Sequence, residues 1–167
     1  MKYMRSSTYG RVSIEDIVKI IKKKILKNPN EKYKITIGTD SQNFDKTKIV
    51  EVIAFHHVGH GGIFFYDIEY VERIKDLRKK IIFETNKSLE LANLFFELLE
   101  LAFMEEDIDI NTFNIHTEIH CDIGPTEKSK TSTLVSEITN WVKAYGYDVH
   151  IKPDSYAASS IADKISK

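Results

Sequence analysis

Four carboxylates in this chain stand where packing gives no reason for them: Asp40, Glu84, Asp122 and Asp163. Each falls on a different stretch. Asp40 follows an alternating, β-branched run, Tyr33-Lys34-Ile35-Thr36-Ile37-Gly38-Thr39, and precedes Ser41-Gln42. Asp122 follows the alternating run Thr112 to Cys121, Glu84 interrupts an apolar helical stripe, and Asp163 sits in a short C-terminal segment beside Ala157, Ala158 and Ala162. Carboxylates converging from separate elements form a hard-oxygen donor set, which suits Mg²⁺ or Mn²⁺. Two such ions roughly 3.5–4 Å apart can orient a water, neutralise a pentacoordinate phosphorus and take up the charge of a leaving oxyanion. Phosphodiester hydrolysis needs all three. Without cations the same groups repel one another, and some should hold protons.

The elements that must position these groups can be read in order. Met1 to Val12 has no period and is expected to be a loose or docking arm. Ser13 then caps a helix, with Asp16 in the capping-box position. Ile14, Ile17, Val18, Ile21, Ile25 and Leu26 form its apolar stripe, and Lys19, Lys22, Lys23, Lys24 and Lys27 form a basic side expected to be solvated. Three strands follow as a meander: the run ending at Asp40, Lys48 to Val58, and Ile63 to Val71, with Gly59-His60-Gly61-Gly62 as a hairpin loop. A long helix is expected from about Ile74 to Phe103, then a strand from Thr112 to Cys121 with Phe113, Ile115, Thr117, Ile119 and Cys121 on one face. Thr126 to Tyr145 is amphipathic and closed by Gly146. Tyr147 to Lys152 is a short strand, and a last small helix runs from Ser155. Helix, three strands, then helix-linked strands point to a mixed sheet ordered 3-2-1-4-5 with helices on its faces.

Each carboxylate has a plainer reading. Asp40 before Ser-Gln could close an Asx-turn, and Asp122 before Ile-Gly-Pro could cap the next helix. Glu90 competes with Glu84 for the helical vertex. The two lie six residues apart, roughly 240° around a helix, so both cannot face one site. Asp154, after Pro153, is either an N-cap or an alternate to Asp163.

Other chemistries find less support. Adjacent strand residues His56 and His57 point to opposite faces, and His116 and His120 stand two pleats apart with Glu118 between, so zinc is not the expected ion. The chain has neither a glycine-rich phosphate loop nor a serine-nucleophile elbow. Its 167 residues are 42% hydrophobic and 29% charged, with a net charge of −1, so no global positive field draws nucleic acid. The single cysteine, Cys121, fits a small core residue and a reducing cytoplasm. No apolar run reaches membrane-span length.

Gly38-Thr39-Asp40-Ser41-Gln42, Ser88-Leu89-Glu90-Leu91-Ala92, Asp122-Ile123-Gly124 and Lys152-Pro153-Asp154-Ser155 with Ala157-Ala158-Ser159-Ser160 together resemble the YkuK-like family of ribonuclease H-like proteins. The resemblance covers residues 13–167 and implies a single domain after an arm at 1–12. It implies an α/β fold with a mixed five-stranded sheet, strand 2 antiparallel, and an extra N-terminal helix. It also implies a metal-dependent nuclease acting on RNA, an RNA–DNA hybrid or structured DNA, with Asp40, Glu84 or Glu90, Asp122 and Asp163 holding two Mg²⁺ or Mn²⁺ ions. Asp40, on the central strand, is the expected bridge between them. Pro153-Asp154-Ser155 stands where ribonuclease H has a Gly- and His-containing loop. Asp163 lies four residues from the end, so a partner subunit of a homo-oligomer or a bound metal is expected to hold it. The alternative is a non-catalytic module that binds nucleic acid or protein on the same scaffold.

Overall fold

The run beginning at Lys32 forms a strand, and it continues past the aspartate at which the sequence pattern stops. The computed structural model describes residues 1–123 and 129–151. Its elements are β1 (Tyr3–Ser6), β2 (Gly10–Ser13), α1 (Ile14–Lys27), β3 (Lys32–Asn43), β4 (Thr47–His57), β5 (Gly61–Val71), α2 (Leu77–Met104), β6 (Asn114–His120), α3 (Ser129–Ala144) and β7 (Asp148–His150), with a 3₁₀ turn at Ile110–Thr112. One sheet holds all the strands in the order β2-β1-β5-β4-β3-β6-β7. β3 pairs antiparallel with β4 and parallel with β6, and β6 pairs parallel with β7. The meander and the two helix-linked strands thus stand in the expected 3-2-1-4-5 order.

The sheet has seven strands rather than five. Residues 3–13 form a hairpin that joins the edge of β5 through the rung Arg5↔Tyr66. Lys2 Nζ ties it down through Glu51 Oε2 at 2.8 Å and Asp67 Oδ2 at 3.2 Å, and Met4 is buried. Four-residue strands are too short to show a period, which is why the sequence pattern reads as an arm.

α1 starts as expected, with the Ser13 side chain accepting from the Asp16 N–H and the Asp16 carboxylate accepting from the Ser13 N–H. Its buried stripe, Ile14, Ile17, Val18, Ile21 and Ile25, packs with Phe95, Leu99 and Phe103 of α2 and with Leu134, Ile138 and Val142 of α3 in one core against the sheet. Part of the basic side is used internally: Lys22 Nζ donates to the Ala102 carbonyl at 2.7 Å and pairs with Glu106. α3 ends where expected, with Gly146 at φ 88° donating its N–H to the Lys143 carbonyl. On the opposite face of the sheet Val50, Val52 and Ala54 are buried in a smaller cluster. No described helix is long and apolar enough to cross a membrane. The expected last helix lies outside the described residues.

Candidate metal centre

α2 meets β3 through polar groups. Ile81, Glu84, Thr85, Ser88 and Ala92 follow helical spacing on its buried side, so the break in the apolar stripe falls on the face that packs against the sheet. Opposite them, strand alternation turns Thr39 and Ser41 of β3 toward the helix. Thr39 Oγ1 lies 2.7 Å from Ser88 Oγ, and Ser41 Oγ donates to Glu84 Oε1 at 2.6 Å. Glu84 is only 7% exposed. Its carboxyl is pushed up from 4.5 to about 8, chiefly by burial. The Ser41 hydrogen bond and Lys80 pull against that rise, and the charges of Asp40 and Asp122 add to it. Both aspartates therefore act on Glu84: each, when ionised, makes it harder to ionise the glutamate.

Asp40 does not end its strand. It is the ninth of twelve residues in β3 and pairs with Val50, because β4 stays hydrogen-bonded to β3 as far as the rung Asn43↔Thr47. What ends near Asp40 is the other ladder. β6 accompanies β3 only to the rung Gly38↔His120. Beyond it no described strand pairs with the β6 side of β3, and alternation places Asp40 on the face opposite Thr39 and Ser41.

Asp122 lies in the turn that fills the end of β6. The Cys121 N–H donates to the His150 carbonyl at 2.9 Å and the Ile123 N–H to the Cys121 carbonyl at 2.9 Å, which fixes the backbone on both sides of Asp122. Asp122, Glu84, Thr39, Ser88 and His120 are among the groups lining a cavity of about 10 Å³. That is room for about one water-sized body. Burial pushes the Cys121 thiol up to about 12, with the charge of Glu84 adding to the effect.

Glu90 is on the wrong side of α2. It is exposed and accepts from Asn86 Nδ2 at 3.0 Å, so of the two glutamates Glu84 is the one that faces the sheet. Asp154 and Asp163 lie outside the described residues. Glu51, buried on β4 on the helix side of the sheet, pairs with Lys2 and reaches Lys87 at 4.0 Å, which marks it as a structural ion pair.

Sequence reasoning passed over Glu118. It is 2% exposed, yet its carboxyl is held below the ordinary range. Burial alone would push it up; the hydrogen bond from His120 and the charges of His150 and Lys34 outweigh that. Burial drives the His120 imidazole down to about 4, against the pull of Glu118. Two His-containing groups draw their donor atoms within 4.8 Å of one another: Glu31, His57 and His60, and His116, Glu118 and His150. His57 is in one of them and its neighbour His56 is not, as strand alternation requires. The signal in sequence was the i, i+2, i+4 pattern His116-Glu118-His120, which places all three on one face.

At the Asp40 end the fit to a divalent cation is chemical. The donors are hard oxygens, Glu84 and Asp122 line the small cavity while Asp40 does not, and a carboxyl that keeps its proton at neutral pH lacks a positive neighbour strong enough to ionise it.

The comparisons agree with this architecture. The family model described as Ribonuclease H-like matches residues 16–167. The uncharacterized protein YkuK of Bacillus subtilis (strain 168) is 34% identical over 167 residues, an alignment covering 95% of this chain and 93% of the relative. No solved structure matches the chain. With the strand order, the family match and a full-length relative all in accord, the chain belongs to the ribonuclease H-like family.

Proposed function

We propose that this protein is a Mg²⁺- or Mn²⁺-dependent nuclease that hydrolyses phosphodiester bonds in RNA, an RNA–DNA hybrid or structured DNA. The observation that carries the reading is Glu84: a carboxyl buried to 7% exposure, fixed by Ser41, and raised to about 8 with Asp40 and Asp122 among the causes. No packing purpose is served by burying such a group beside two more acids. Two bound divalent cations would supply the Lewis acidity that activates water and stabilises the leaving oxyanion.

The residues of the chain supply position. Ser41 holds Glu84 Oε1, and the Thr39–Ser88 contact locks α2 onto β3, so the helical carboxylate has a fixed place relative to the strand. The backbone bonds flanking Asp122 do the same for the turn after β6. Glu84 would have to lose its proton to hold a cation, so cation affinity should rise with pH toward 8. Asp40 and Asp163 would complete the proposed ligand set.

The test is incubation with single-stranded, duplex, hybrid and branched substrates, in Mn²⁺ or in EDTA, with Asp40→Asn as control. The reading expects cleavage of at least one substrate that needs Mn²⁺ and is lost in Asp40→Asn. Cleavage that survives the substitution, or none on any substrate, contradicts it.

A further inference from the structure

A second constellation stands at the β6–β7 edge, on the sheet face that carries Asp40 and away from α2. The registers Lys34↔His116, Thr36↔Glu118 and Gly38↔His120 set the β6 groups beside β3, and Glu118↔Asp148 and His120↔His150 set β7 beside β6. Glu118 is the centre. Its two oxygens are divided between two sets of neighbours. Oε1 takes His120 Nε2 at 3.0 Å and Lys34 Nζ at 3.8 Å. Oε2 takes His150 Nε2 at 2.6 Å and His116 Nε2 at 3.2 Å. His116 Nε2 also lies 3.2 Å from Asp148 Oδ2.

We propose that His116, Glu118 and His150, with Asp148 as fourth donor, form a binding site for a transition-metal dication of the zinc type, separate from the carboxylate site at Asp40. The donor set is mixed, two imidazoles and two carboxylates, which matches zinc and its neighbours rather than Mg²⁺. The spacing fits as well. Bonds of about 2.0–2.2 Å set tetrahedral donors some 3.3 Å apart, and the donors of His116, Glu118 and His150 all lie within 4.8 Å of one another. His120 binds the other oxygen of Glu118, the arrangement by which a neighbouring group orients a ligand without touching the metal. The exposed sides of His116 (48%), His150 (34%) and Asp148 (63%) leave an entry path from solvent.

The site spans two strands, and that gives it a purpose. β7 has only three residues, all at the edge of the sheet. An ion shared between β6 and β7 clasps that edge. Through the Cys121 N–H bond to the His150 carbonyl, it also steadies the turn that carries Asp122. Among the described residues the Glu31–His57–His60 group offers three donors and no fourth, so it is the weaker candidate.

The experiment is titration of chelator-treated protein with Zn²⁺ alone, read by calorimetry and by thermal unfolding. Four forms are compared: unaltered, His116→Ala/His150→Ala, His57→Ala/His60→Ala, and Asp40→Asn. At about a hundredfold excess over Kd, Zn²⁺ should raise the melting temperature by roughly 5–10 °C. The shift should be lost in the His116/His150 variant and kept in the other two. Co²⁺ in place of Zn²⁺ should give visible absorption in the same three forms. His116→Gln, a change at a half-exposed position, gives a second reading should the double variant fold poorly. It should weaken Zn²⁺ binding at least roughly tenfold. No Zn²⁺ binding by the unaltered protein, binding that persists in the His116/His150 variant, or loss confined to the His57/His60 or Asp40 variant overturns the proposal.

Discussion

Replacing Glu84 with Gln should make the metal-free protein more stable at neutral and mildly alkaline pH. The sign follows from the raised pKa. Unfolded, the carboxyl ionises near 4.5; folded, it holds its proton to about 8. Below about 4.5 both states are protonated and the group is neutral in its effect. Between 4.5 and 8 the unfolded state releases a proton that the folded state keeps, so stability falls as pH rises, and above 8 it levels off. Each pH unit in that window removes about 1.4 kcal/mol. By pH 7 the loss is about 3 kcal/mol. Gln has nearly the same shape, carries no charge and still offers an oxygen to the Ser41 hydroxyl, so the variant escapes the loss while keeping the contact. The assay is urea unfolding in EDTA at a series of pH values, read as the difference between the two proteins. The variant should match the parent near pH 4.5 and exceed it by about 3 kcal/mol at pH 7, a gain of roughly 5–10 °C in melting temperature. With saturating Mn²⁺ the order should reverse, because only the parent has the charged ligand. Parallel stability curves, or a variant less stable at pH 8 without metal, would refute the account of Glu84.

Three further outcomes follow. Glu90→Gln removes a solvent-facing carboxylate, so stability should change by no more than about 0.5 kcal/mol and Mn²⁺ affinity should hold; a clear loss of affinity would move the helical ligand to Glu90. Ser13→Ala removes the donor-satisfying cap of α1 and should lower unfolding stability by about 1 kcal/mol in a urea titration, whereas no change would mean the cap is redundant. The buried Cys121 thiol, pushed up to about 12, should react with a disulfide reagent at pH 8 far more slowly in native than in urea-unfolded protein, and equal rates would contradict its burial.

The features legible in the chain were those written in local periods. Ser13 with Asp16 announced a helix start, and the odd-numbered residues from Phe113 to Cys121 announced a strand face; both depend only on neighbours in sequence. What depended on partners was hidden. β3 runs on through Asn43 because β4 continues to pair with it, a fact that no pattern within Tyr33–Gln42 contains. Which of Glu84 and Glu90 faces the sheet depends on the rotation of α2 against Ser41, since helical spacing says only that both cannot. Glu118 was visible as a strand residue between two histidines, but its importance comes from β7 delivering His150 and Asp148 beside it.

The proposed activity requires a cation site built from Asp40, Glu84 and Asp122, with Asp40 as its central ligand. Mn²⁺ binding followed by electron paramagnetic resonance, with Mg²⁺ as competitor, tests that most directly. His116→Ala/His150→Ala serves as the background, so that the imidazole-containing edge of the sheet contributes nothing. In that background Mn²⁺ should bind, Mg²⁺ should displace it, and Asp40→Asn should weaken binding by roughly a hundredfold, the loss of one charged ligand at about 3 kcal/mol. Equal Mn²⁺ affinity with Asp and with Asn at position 40 would contradict the central claim.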